Sequence, residues 1–200
     1  MAAHPDPTAM PTPFQRVVAD LRAHLWRPGL VIEEIPSPQR VAPYAVAVSA
    51  DLTIRDQELG SGRLVILHDP DGIDAWQGTF RVVAYAKGAM DPEMVTDTML
   101  ADVGWSWLLE ALGSHQAAYV APSGNVACTW SRSFGGLQEQ PSQAEMEIRA
   151  SWTPRLDLDG GGIEAHLDAF AELLCATCGI PPLPDGVVMM TPLRQRSQER

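Results

Sequence analysis

Cys175 and Cys178 stand three residues apart, the spacing of a redox pair or of half a zinc site. A redox pair needs its first thiol at a helix N-terminus, where the dipole lowers its pKa. Both cysteines fall instead in the last turn of a helical pattern, where the dipole opposes ionisation. Zinc needs four ligands, and the chain has no second pair of this spacing; Cys128 and His166 could join only through the fold. Buried structural thiols are the expectation, with no metal and no cofactor.

A second cluster gathers His68, Asp69, Asp71 and Asp74. It could bind a divalent cation or supply an acid–base pair. The spacing is not that of a calcium loop, however, and Asp-Pro and Asp-Gly are turn formers. The segment reads as a polar hairpin turn between two strands. Ser61 and Ser123 sit at turns between strands and not at the strand-to-helix elbow of a serine nucleophile. Gly160, Gly161 and Gly162 precede a helix without the Lys and Ser/Thr of a phosphate loop, and Asp157 and Asp159 would repel phosphate. No residue is assigned a catalytic role. The candidate binding residues are His68, Asp69, Trp76, Arg81, Trp105, Arg132 and Phe134.

The elements that must position these residues follow from hydrophobic period. Phe14, Val17, Val18, Leu21 and Leu25 make a helical stripe stopped by Arg27-Pro28-Gly29. Strands are expected over 30–35, from Tyr44 through Ala50, over 62–68 and over 77–87. Three more are expected near 116–121, 125–133 and 143–153. In the last, Met146, Ile148, Ala150 and Trp152 point inward and Glu145, Glu147, Arg149 and Ser151 outward. Asp91-Pro92-Glu93 reads as the start of a long helix ending near Gly113. Its only polar stripe is Thr98, Asp102, Ser106 and Glu110, so it must be enclosed on nearly all sides or offer one flank to a partner. Trp105 and Trp107 point to opposite sides of it. A final helix spans about 162–178, with Leu167, Phe170, Ala171, Leu174 and Cys178 on its core face and Glu164, Asp168 and Glu172 on its wet edge.

A gapless shift of 66 residues superposes Phe80 on Met146, Val82 on Ile148, Ala84 on Ala150, Leu108 on Leu174 and Gly113 on Gly179. The same shift lays the strand at 62–68 on 128–134, which suggests a duplicated β-β-α unit. The domain reading is an arm over 1–12, a single α+β domain over 13–190 and a polar Arg/Gln-rich tail over 191–200. The fold class is α+β: a mostly antiparallel sheet of about seven strands, two long helices on one face and an N-terminal helix.

Two hundred residues with 46% hydrophobic and 20% charged residues suffice for a buried core. The net charge of −11 repels phosphate backbones and anionic lipid, so nucleic acid and membrane are excluded as partners. An opening stretch too polar for a signal peptide, together with the odd cysteine count, points to the cytoplasm.

The runs PSPQRVAPYAVAVSAD (36–51), GRLVILHDPDGIDAWQGTFRVVAYAKG (62–88), DVGWSWLLEAL (102–112), SFGGL (133–137) and EIRASWTP (147–154) resemble an actinobacterial family of unknown function, domain-of-unknown-function family 3000. The resemblance covers roughly 13–190 and implies no activity, ligand or catalytic residue. From the residues themselves, the favoured reading is a non-enzymatic protein-binding or adaptor module with a protein partner or self-association. The alternative is a small-molecule-binding protein or enzyme with a pocket between sheet and helices, where His68, Arg81, Asp69 or Arg132 supply polar groups. An adaptor should expose a contiguous apolar patch and lack a deep cavity; an enzyme should show a concave pocket where His68 or an arginine converges with a carboxylate whose pKa is displaced.

Overall fold

Strict two-residue alternation builds the sheet and chooses its buried side. The computed structural model describes residues 10–180, apart from 39, 56, 95, 96 and 141. The chain runs α1 (Thr12–Ala23), β1 (Leu30–Ile35), β2 (Tyr44–Ile54), β3 (Gln57–Ile73), β4 (Gly78–Met90), α2 (Leu100–Ser114), β5 (Tyr119–Ser131), β6 (Gln143–Pro154) and α3 (Glu164–Thr177). The sheet has six strands in the order β1-β2-β3-β4-β6-β5, and every neighbouring pair is antiparallel. On β2, β3, β4 and β6 the even-numbered residues face the helices. Val46, Val48, Leu64, Ile66, Val82, Ala84, Met146, Ile148 and Trp152 are all buried there. Each large side chain so enclosed contributes about 2 kcal/mol by removing apolar surface from water.

Six strands, not seven, result because the two expected around 116–121 and 125–133 are one. Pro122-Ser123-Gly124 does not break β5 but forms a bulge, with the register against β6 shifting between Val120 and Ser123. β5 is an edge strand, where a missing proline N–H is tolerated. The hairpin turn expected over 68–76 is present but confined to the end of that segment. Residues 69–72 are an excursion within β3 opposite Thr79, and the chain reverses at Asp74–Gln77, where Gln77 takes a φ of 58°.

α2 begins at Leu100, not near Asp91. Asp91 and Asp97 each accept a backbone N–H two residues on, from Glu93 and Met99, and hold local turns before the helix. Nor is α2 enclosed nearly all round. Leu100, Gly104, Leu108, Ala111 and Leu112 are buried, whereas Met99, Val103 and Leu109 are exposed beside the polar stripe. α1 buries Phe14, Val17, Val18 and Leu21 as expected but stops at Ala23, leaving Leu25 91% exposed. The expected arm through residue 9 and the tail over 191–200 lie outside the described residues.

The 66-residue shift fits the seam between β4 and β6. Val82 pairs with Trp152, Ala84 with Ala150 and Ala86 with Ile148, so the shift maps this ladder onto itself around the Ala84–Ala150 pair. For the outer strands it fails. Leu64 faces Ala84 in β3, and Gly124 faces Ala150 in β5, so Leu64 corresponds to Gly124 and not to Trp130. The segment joining β5 to β6 is longer than the one joining β3 to β4, and this moves β5 along its partner.

The helices cross over. α3, from the second half, lies on β3 and β4 of the first; α2, from the first half, lies against β5. Glycine permits the close approach: a side chain on Gly60 would collide with Cys178, and one on Gly88 with the Thr177 backbone. Gly104 does the same for α2, seated on Val126 and Met146. Among the described residues no helix covers the opposite face of the sheet.

Candidate functional site

The strand register places the candidate residues at opposite ends of the sheet. One end holds the close of β3, the starts of β4 and β5 and the close of β6. His68 is there on the helix side, 4% exposed, its ring stacked between Phe14 (5.8 Å, 8°) and Phe80 (4.1 Å, 22°). Its Nδ1 lies 3.0 Å from the carbonyl of Thr79. A carbonyl only accepts, so Nδ1 carries the proton and Nε2 keeps its lone pair. Burial pushes the His68 pKa down and holds the ring neutral. The ring lines a cleft of about 450 Å³ with Pro11, Thr79, Phe80, Leu156 and Asp157.

Arg81 sits at the same end but on the opposite face, because it is odd-numbered in β4. It is 7% exposed and has no carboxylate partner among the described residues. Its Nη1 donates to the Ala121 carbonyl (2.8 Å) and to Thr153 Oγ1 (3.2 Å); its Nη2 donates to Ser123 Oγ (2.8 Å) and Ser151 Oγ (2.7 Å). Ala121 is the bulge residue, with a φ of 48°. The guanidinium holds a strained turn that costs about 1–2 kcal/mol, tying β4 to β5 across β6. Burial lowers its pKa, yet arginine stays charged. Asp69 accepts the Asp71 N–H (3.1 Å), and the Trp76 carbonyl accepts from Thr153 Oγ1.

Arg132 and Phe134 are at the far end, in the segment between β5 and β6, with the guanidinium 5.6 Å from the centre of the Phe134 ring. Ten residues of β4 separate Phe80 from Met90, roughly 33 Å of strand. Arg132 therefore cannot share a pocket with His68, and Arg81 is cut off from His68 by the sheet itself. Trp105 lies over Gly124 and is partly buried against the core.

This far end is the apolar one. Ala144 pairs with Met90 on one side and Trp130 on the other. Met94 and Met99 follow Met90 in the chain; Phe134 and Leu137 follow Trp130. Phe134 is 73% exposed and Met99 59%, and Met94, Val103, Trp130 and Leu137 are exposed as well. Of the candidate residues, Arg132 and Phe134 fall here, and the exposed methionines are not among them, because the apolar run of α2 reads as core.

His166 was weighed only as a metal ligand and proves to be a core residue. Trp152 Nε1 donates to its Nδ1 (3.1 Å), and its Nε2 is sealed without a hydrogen-bond partner among the described residues. Burial lowers its pKa to about 4. Cys175 is buried and its pKa raised; burial pushes the Cys178 thiol up to about 12. Burial thus opposes thiolate formation at both positions. Among the described residues no three His, Cys, Asp or Glu side chains gather into a metal site. No helix of the described residues is long and apolar enough to cross a membrane.

A six-stranded antiparallel sheet with three helices on one face defines a two-layer α+β protein. The chain belongs to the family described as protein of unknown function (DUF3000), whose model matches residues 10–188. No curated protein and no solved structure matches it.

Proposed function

We propose that this protein is a non-enzymatic binding module of the cytoplasm, and that the apolar end of its sheet receives an apolar segment of a protein partner. The observation that carries this reading is the exposure of Met94, Met99, Val103, Trp130, Phe134 and Leu137 at the end bounded by Met90 and Trp130. Soluble proteins rarely leave so many large apolar groups together in water unless they meet something. Methionines adapt to varied shapes, and the Trp and Phe rings are common anchors of interfaces. The net charge of −11 argues against nucleic acid and anionic membrane as the partner.

The test is site-specific photo-crosslinking in the native host, with the photoreactive residue at Met99, at Phe134 or at the exposed control Leu158. The reading expects one and the same protein captured from Met99 and Phe134 and absent from Leu158. Capture of a second copy of this chain from both sites makes the module a self-associating one. The same yield from all three positions overturns the reading.

A further inference from the structure

We propose that the cleft at the His68 end is a second, separate binding site, for a planar, uncharged ring compound that donates one hydrogen bond to His68 Nε2. The imidazole is placed as a phenylalanine would be, in a column between the rings of Phe14 and Phe80. Packing alone would be met by a hydrocarbon ring, so the two ring nitrogens are what the imidazole adds to the column. One nitrogen is used, by the Thr79 carbonyl at 3.0 Å.

The other has no hydrogen-bond partner among the described residues. His166 carries an Nε2 sealed from water with no hydrogen-bond partner among the described residues; His68 Nε2 is not sealed in that way. His68 is among the residues that line the cleft, which makes its unused nitrogen the acceptor that the site offers.

The walls settle the chemical class. Pro11, Phe80, Pro154 and Leu156 make the lining largely apolar, and the volume of about 450 Å³ suits a small ring compound. Arg155 and Asp157 bring one charge of each sign to the cleft, so neither a cation nor an anion is favoured as a whole. A neutral imidazole with its proton committed to Thr79 can only accept, so the ligand must donate.

Indole is the probe, with 1-methylindole, which lacks the N–H, as its control. Each is titrated into the full chain and followed by NMR at the His68 ring and the Thr79 and Leu156 amides. Indole should give saturable shifts at all three, and 1-methylindole should bind about fivefold more weakly, the size of one net hydrogen bond. In His68→Phe, which keeps the aromatic column and removes the acceptor, the two probes should bind alike. Equal affinities in the native protein, or no saturable shift at these residues, overturn the proposal whether or not His68→Phe folds. Phe134→Asp, which disables the apolar end, should leave indole binding unchanged, so this site and the partner-binding surface fail or stand separately.

Discussion

Where β3 closes against β4, rings and hydroxyls gather around each polar group. Where β4 leaves the sheet and β5 turns back, methionines and aromatic rings remain in water. Both ends belong to the same antiparallel ladder, so strand pairing does not make the difference. The first end is covered by α1 and by the chain around 154–158, with Phe14 stacked on His68. At the second, α2 starts only at Leu100, and Met99 and Val103 face outward. The comparison teaches that cover decides the matter: α1 encloses the rings at one end, and the late start of α2 leaves large apolar side chains in water at the other.

Substitutions can break that comparison. Phe14→Ala should cost the most, about 4 kcal/mol in urea denaturation, because it empties a core site and unstacks His68. A cost under about 1 kcal/mol would mean that the covered end is not closely packed. Arg81→Met should cost about 3 kcal/mol, since it strips the donors from the Ala121 carbonyl and from three hydroxyls. Hydrogen exchange should quicken selectively at residues 121–124; uniform exchange would deny Arg81 its role in holding the bulge.

A pH scan sharpens the contrast. The folded-state pKa of His166, about 4, lies below its ordinary value near 6.5. The unfolded chain therefore takes up the proton first as pH falls. The stability is fully present above about pH 6.5 and is lost progressively down to about 4. Between pH 7 and 5 the loss should be about 2 kcal/mol. The depressed pKa of His68 acts in the same direction. His166→Gln should flatten the profile, and an unchanged slope would show that His166 is hydrated when folded. The smallest effects belong to the apolar end: Met99→Asp and Phe134→Asp should each shift stability by less than about 0.5 kcal/mol. A loss above about 2 kcal/mol would mean that those side chains are packed.

The sequence made the inner faces of β4 and β6 legible, because alternation there is unbroken from Phe80 to Ala86 and from Met146 to Trp152. It misled where one residue type serves two local structures. Asp-Pro-Asp-Gly makes an excursion inside a strand as readily as a hairpin turn. Pro122 and Gly124 mark a bulge on an edge strand as readily as a strand end. Asp91-Pro92-Glu93 starts a turn with the same preferences that start a helix. The Arg81 network was out of reach, since Ser123, Ser151 and Thr153 lie 42 to 72 residues away and meet the guanidinium only through the order β4-β6-β5. The apolar end was legible as an excess of large side chains around α2, but which of them stay wet depends on where that helix begins.

The exchange of helices between the halves has a consequence for how the molecule comes apart. Strands β3 and β4 are roofed by a helix made some seventy residues later, and β5 is roofed by one made before it. Neither hairpin is covered by its own helix alone, so a half that detached would wet part of its apolar side. Heat or denaturant should take both halves in a single step, held together by the exchanged helices and by the β4–β6 ladder around Ala84 and Ala150.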